Sequence, residues 1–446
     1  MKTLESLARS WPPAGLEFPA TGYRRPRPED LTPVDAFGVR DAGCLGVFSD
    51  EKHEMWSLPL SDSGGSWHIA SETDHVASAL VELAEAGPRR HGRFSLHAAP
   101  GSLHEWDHSG HERYLTTDQT HISAVVDNAV IVKWFSRPAS PDVVGLRLRH
   151  LQDVGFFEVP RHLADLTWEG EASPQIVATI TEFLPDTDDG WTWCCAALAA
   201  HLTHGAEPCG EHCPGWFAAD LGALLARFHT ATATPSRWVE KPLTMAADDT
   251  VRTWKHRCTQ RVQEAQAAFV TELPIEAILQ WSEAVAALPT AKATPLIIVH
   301  GDLHVGQILK ARSSAEYALI DLEGDPLEVR PSALDSPMRD VAHLLTSIAL
   351  VGQVVLKQVG GPTEPVSEWA ATSAELFLTA YLTELRSGGV ESLADLDLLV
   401  PFLAAQLASE LVYANRALPR WAYAPLGLAR TPWLERLRGQ VGSLVA

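Results

Sequence analysis

The sequence predicts a bilobal α+β fold, and three observations predict it. The chain has 446 residues, too many for one compact hydrophobic core. Its first part carries short β-branched runs punctuated by Pro, Gly and Asn, whereas the remainder repeats apolar residues at helical spacing. One pair of short strand-like runs, each next to a cluster of polar residues, is embedded in the helical part. A strand-rich front followed by a helix-rich back points to segregated layers rather than to alternating βαβ units.

Each element follows from local pattern. Leu45 to Phe48 and Met55 to Leu60 read as short strands. HISAVVDNAVIVKWF, residues 121–135, reads as a hairpin turning at Asp127-Asn128, and QIVATITEF, residues 175–183, as a further strand. FAADLGALLARFHTA, residues 217–231, begins the helical pattern, which continues over 254–287, 366–386 and 394–417. The apolar zone from Leu344 to Leu356 contains Thr346, Ser347, Gly352 and Gln353 and reads as a core helix. No stretch is expected to span a membrane, and MKTLESLARSWPPAG lacks the apolar core of a signal peptide.

Composition excludes whole classes of function. Hydrophobic residues make up 46% and charged residues 20% of the chain, which excludes a disordered protein. With 56 acidic against 35 basic residues the net charge is −21, which opposes nucleic acid and anionic membranes as partners. Six Cys in so long a chain are no disulfide framework and read as reduced thiols in a cytoplasmic protein. His201, His204, Cys209, His212 and Cys213 lie close together in HLTHGAEPCGEHC, but their spacing is no standard zinc pattern and the segment reads as a loop.

The chemistry concentrates in PLIIVHGDLHVGQILK, residues 295–310, where the run from Leu296 to Val299 reads as a strand ending in polar residues. Asp302 can accept a proton from a hydroxyl, and Gln307 with Asp321 of LIDLEGD can supply oxygen ligands to a hard cation such as Mg²⁺. Phosphoryl transfer needs that set and an upstream cation for the nucleotide. Lys133, inside the apolar run VIVKWF, fits the last requirement. A metallophosphoesterase also uses GDxH but needs a Gly-Asn-His, which the chain lacks. A silent nucleotide-binding regulator would have lost Asp302 or Asp321.

HGDLHVGQ, IDLEGDP, SPMRDVAHLL, TEFLP, LGALLARFH and VIVKWF together resemble the aminoglycoside-phosphotransferase-like kinases, in particular their actinobacterial glucosamine kinase and maltokinase branch, over roughly residues 120–430. The resemblance implies a eukaryotic-protein-kinase-like fold with a cap subdomain over 1–97, a strand-rich lobe over 98–185 ending in a hinge, and a helical lobe over 186–446. It implies ATP as co-substrate with Mg²⁺, Asp302 as catalytic base and Gln307 and Asp321 as metal ligands. Lys133 would then lie on the α/β-phosphates, with backbone groups of Glu182 to Leu184 on adenine, and Arg339 and Asp340 would brace the catalytic loop. Glu323, on the same side as Asp321 if the chain is extended there, becomes a second metal or sugar contact, and His304 a sugar contact. The chain departs from the kinase pattern in having no G-x-G-x-x-G, and the only acid of PDVVGLRLRHL, Asp142, is no glutamate partner for Lys133.

The acceptor is read from AAQLASELVYANRALPRWAYAPL, residues 404–426. As a helix it puts Glu410 and Tyr413 beside an apolar stripe, with Trp421 after a Pro-Arg turn. An aromatic face stacks on a sugar and a carboxylate holds an ammonium. The ending resembles that of glucosamine kinases, which implies an aminosugar phosphorylated at its 6-hydroxyl; maltose, phosphorylated at its 1-hydroxyl, is the alternative.

Overall fold

The computed structural model describes residues 2–12, 26–63, 66–98, 109–115, 121–140, 145–171, 173–203, 213–324 and 334–445. The chain divides into two compact units, one of residues 1–149 with 159–185, the other of 150–158 with 186–446.

In the first unit, α1 (Lys2–Ser10) precedes an antiparallel meander of β1 (Thr32–Val39), β2 (Gly43–Ser49), β3 (Met55–Ser63) and β4 (Ser66–Ile69). After α2 (Val76–Glu85) come β5 (Arg89–His91), β6 (Phe94–Ala98), β7 (Glu112–Tyr114), β8 (Ile122–Val126) and β9 (Val130–Ala139). Then follow α3 (Gly145–Asp153), β10 (His162–Glu169) and β11 (Pro174–Glu182), and the second sheet runs in the order β5-β6-β10-β11-β9-β8-β7. The β8–β9 turn falls where the sequence puts it. Asp127 and Asn128 both take a positive φ of 53°, which Asn and Asp tolerate better than other side chains, and Ala129 N–H closes the turn on Val126 O.

Alternation along β9 separates two faces. Val130, Val132 and Trp134 point into a core shared with the meander, while Lys133 and Phe135 take the opposite face. Lys133 therefore sits mid-sheet, between Ser123 of β8 and Thr179 of β11, and not on an edge.

The second unit begins with β12 (Thr187–Asp188), α4 (Gly190–Leu202), α5 (Ala218–Thr232), β13 (Thr244–Met245), α6 (Asp248–Ala268) and α7 (Ile275–Ala286). It continues with β14 (Pro295–Leu296), β15 (Ile308–Ala311), β16 (Tyr317–Leu319), α8 (Pro337–Val359), α9 (Glu364–Ser387), α10 (Leu399–Arg416), α11 (Tyr423–Ala429) and α12 (Trp433–Val445). The strand expected over 296–299 is a correction: only Pro295 and Leu296 pair as a strand, with Thr244 and Met245, and Ile297 adds one bridge to Asp335. Beyond it the buried chain is tied by side chains instead of a ladder, as the site shows.

A second correction concerns membrane length. Pro337–Val359 and Glu391–Arg416 are both long and apolar enough to span, but 78% and 61% of their most apolar windows are buried inside the fold, as core helices are. α8 starts with a Ser336 cap, whose hydroxyl accepts from Met338 N–H, and ends at Gly360.

Candidate active site

The loop from His300 to Gln307 connects β14 to β15, and its polar atoms find partners one after another. Asp340, in the first turn of α8, accepts His300 N–H at 2.7 Å and Gly301 N–H at 2.9 Å, one on each carboxylate oxygen. Gly301 turns the chain there with φ 86°, a conformation that suits glycine. His300 Nε2 donates to Ile320 O at 2.8 Å, so Nδ1 is left to accept Asp302 N–H at 3.3 Å. Both bonds of that imidazole thus fix the backbone beside Asp302.

Behind Asp340 lies a fully buried relay. His229 Nε2 is 3.3 Å from Asp340 Oδ2, and Tyr381 O–H is 2.8 Å from His229 Nδ1. Burial raises the Asp340 pKa, but the His229 bond, the neighbouring His229 and His300 imidazoles and the Gly301 N–H outweigh it and hold the group at about 2. An ionised Asp340 only accepts, so His229 donates to it through Nε2, and Nδ1 and the Tyr381 hydroxyl share the next bond. Asp340 braces the loop as expected. Arg339 instead binds Asp335, at 2.5 Å.

β15 and β16 form an antiparallel hairpin in which Ile308 pairs with Leu319, and Ile320 N–H bonds Gln307 O at 2.9 Å. Gln307 and Asp321 therefore flank one closed backbone pair. Asp321 takes φ 59° and Leu322 and Glu323 form a turn, so the chain is not extended there and the alternation expected to set Glu323 on the side of Asp321 does not apply. An amide and a carboxylate oxygen suit Mg²⁺, and among the described residues no cluster of three or more His, Cys, Asp or Glu forms a self-sufficient metal cage. Gln307 and Asp321 would hold such a cation by one amide and one carboxylate, the oxygen donors a hard divalent ion prefers.

On the other side of Asp302 stands His343, a residue the sequence reading did not single out. It lies on α8, three residues after Asp340, with Nδ1 3.7 Å from Asp302 Oδ1 and Nε2 3.5 Å from Glu410 Oε1. Asp302, His343 and Glu410 are 22%, 10% and 15% exposed. Glu410 also accepts Trp421 Nε1–H at 3.2 Å and Gln406 Nε2–H at 3.1 Å. Burial pushes its pKa up, yet the His343 bond and charge, His304 and the indole N–H together hold it below the usual carboxylate range. Glu410 is thus a buried carboxylate that faces His343 and, beyond it, Asp302, not a solvated helix residue.

An aromatic wall completes this side. Trp191 lies against His304 at 6.3 Å and meets Trp421 edge-on at 5.1 Å, and Trp421 is 6.0 Å from Tyr423. Trp191 was also missed in the sequence. It reaches the loop because Gly190 lets α4 close on it: a Cβ on Gly190 would fall 1.7 Å from Val305 O. Burial, then the neighbouring His343, depresses the His304 pKa to about 4, leaving it neutral with Nδ1 accepting Gly306 N–H. Tyr413 is half-buried one turn of α10 beyond Glu410, and its carbonyl accepts Ala417 N–H.

The structure thus brings Asp302, His304, Glu410 and Trp421 together, and Gln307 and Asp321 at one hairpin end. In the first unit, Glu182 N–H bonds Arg161 O, Phe183 N–H bonds Ala129 O, and the Glu182 carboxylate pairs with Arg161. Leu184 follows the end of β11. Asp142 lies outside the described residues, as do His204, Cys209 and His212. His201 Nδ1 is 3.3 Å from Cys213 Sγ.

Comparison with known proteins follows the same lines. The phosphotransferase enzyme family, APH, matches residues 147–349. A glucosamine kinase of Streptacidiphilus jiangxiensis is 34% identical over 437 residues, covering 94% of this chain and 95% of the relative. A glucosamine kinase of Mycolicibacterium smegmatis is 31% identical over 378 residues, 82% of this chain and 90% of the relative. A solved glucosamine kinase in complex with glucosamine, ADP and inorganic phosphate superposes with a TM-score of 0.71 at 29% identity, covering 95% of this chain and 97% of that one.

Proposed function

This chain belongs to the APH phosphotransferase enzyme family, among relatives that are glucosamine kinases, and from that premise we propose that it transfers the γ-phosphoryl group of ATP to the 6-hydroxyl of glucosamine. The observation that carries the reading is the pair of carboxylates on one imidazole. Asp302 and Glu410 flank His343, so a hydroxyl beside the first and an ammonium beside the second fit one small aminosugar.

Asp302 orients the acceptor hydroxyl and takes its proton as the oxygen attacks phosphorus, while ADP leaves with the bridging oxygen. Glu410, ionised at neutral pH, supplies the counter-charge for the ammonium, which would be costly to desolvate alone. Trp421 and Trp191 offer faces to the sugar ring, with His304, Tyr413 and Glu323 as further sugar contacts. Lys133 is assigned to the α/β-phosphates and the backbone of Glu182 and Leu184 to adenine. Gln307 and Asp321 would hold Mg²⁺, whose chemistry is to neutralise charge on the phosphates. The buried thiols Cys44, Cys194 and Cys258 and the use of ATP suit a cytoplasmic enzyme.

Turnover with ATP and Mg²⁺ on glucosamine, glucose, maltose and aminoglycosides tests class and acceptor together. Glucosamine is expected to give the highest kcat/KM. Turnover of maltose with none of glucosamine would replace this reading.

A further inference from the structure

A second pocket in the helical unit carries chemistry that phosphoryl transfer does not use. It lies among α6, the start of α8 and α10, with a cavity volume of about 80 Å³. Arg257 and Arg261, one turn apart on α6, line it together with Arg339 of α8, and no acidic side chain is among its lining residues. That composition is notable in a chain of net charge −21. Like charges at i and i+4 repel, so the arrangement is not what helix stability alone would select.

The three guanidiniums are also built in. Their side chains are only 34%, 22% and 23% exposed. Carboxylates outside the lining orient them: Asp335 takes Arg257 at 3.5 Å and Arg339 at 2.5 Å, while Glu264 takes Arg261 at 3.1 Å and Arg416 at 3.0 Å. Trp254 and Phe402, in edge-on contact at 5.6 Å, close the apolar side. Gln406 lines the pocket and also donates to Glu410 at 3.1 Å, so one amide touches both cavities.

We propose that this pocket binds a small oxyanion of the phosphate class, free or as the phosphate monoester of a sugar, and that its occupancy is coupled to the acceptor site through Gln406 and Glu410. Planar guanidinium forks match the oxygens of such an anion, and a phosphate monoester carries about −1.5 to −2 charge at neutral pH. The proposed transfer reaction makes an ester of this kind, and in that respect the coupling rests on the function given above. The Gln406 amide orients the Glu410 carboxylate, so an anion that draws the amide toward it leaves Glu410 less well placed for the acceptor's ammonium, and the acceptor and the anion then each lower the other's affinity by the same factor.

The test is thermal stabilisation of the full-length protein by inorganic phosphate and, separately, by glucosamine 6-phosphate, at constant ionic strength with ADP and Mg²⁺ saturating. Both anions should raise Tm, and Arg261→Gln should weaken half-saturation by about tenfold while leaving stabilisation by ADP unchanged. Arg257→Gln, in the same pocket, should act alike and serves if the first variant does not fold. Phosphate should also raise the KM for glucosamine in the parent protein and not in Arg261→Gln. The proposal is overturned if the variants bind phosphate as the parent does, if the phosphate effect vanishes once ADP is bound, or if only glucosamine 6-phosphate acts and saturating glucosamine abolishes its effect. Loss of all kinase turnover would sink the transfer reading yet leave the phosphate titration able to decide this one.

Discussion

The two flanks of Asp302 are built on different principles. On one, the loop backbone at His300 and Gly301 is held by Asp340, then His229, then Tyr381, with each of the three helical side chains buried. On the other, His343, Glu410, Trp421 and Trp191 come from separate elements and remain partly open, with His343 3.7 Å from Asp302 and 3.5 Å from Glu410. The first flank is complete in the folded chain and fixes where Asp302 stands. The second sets a carboxylate and aromatic rings beside it, the side to which the proposed function assigns the sugar.

The largest effect should come from the residue both flanks share. Asp302→Asn is expected to keep nucleotide binding and to lower kcat by about a hundredfold or more, measured by steady-state kinetics against nucleotide titration. Near-normal turnover would remove Asp302 as base. Next, Asp340→Ala should cost about 3 to 5 kcal/mol of stability, because it strands His229 and two loop amides in a buried site. Urea unfolding reads it; a loss under about 1 kcal/mol would mean that the closed flank contributes little.

Acid should separate the flanks as well. His304, with a folded-state pKa of about 4 against 6.5, is neutral when folded, so the unfolded chain binds its proton first. Stability therefore falls as pH drops from about 6.5 to about 4, by up to about 3 kcal/mol. Asp340, lowered from 3.8 to about 2, contributes stability above its unfolded pKa and loses it only as pH falls through that lower range. His304→Asn should flatten the first loss and leave the second, as chemical unfolding across pH will reveal. A smaller effect is expected from His343→Ala. With the imidazole gone the two carboxylates face each other, so the acidic limb of kcat/KM should move to higher pH.

Legibility in the sequence followed the same divide. The motifs around Asp302, Gln307 and Asp321 are short and local, so residue type and spacing were enough to expect a loop and a hairpin that set Gln307 beside Asp321. The strand expected over 296–299 was over-read because apolar content does not reveal that His300 and Gly301 would bond a side chain 40 and 39 residues away. The turn at Leu322 and Glu323 was not legible because a positive φ at Asp321 leaves no mark in the residue pattern. His343 and Trp191 sit in apolar helices far from the loop in sequence. The one available signal for His343 was its place three residues after Asp340, on the same helical face. Glu410 and Trp421 were found because a carboxylate and an aromatic beside a Pro-Arg turn are unusual on a buried stripe.

That the open flank chooses the sugar is decided by Glu410→Gln, assayed for kcat/KM on glucosamine and on glucose. An ammonium loses its counter-charge whereas a hydroxyl loses one acceptor, so the preference for glucosamine should fall by about tenfold or more, mainly through KM, with turnover of glucose nearly kept. Equal losses on both sugars would contradict it and leave Glu410 as a support of the fold.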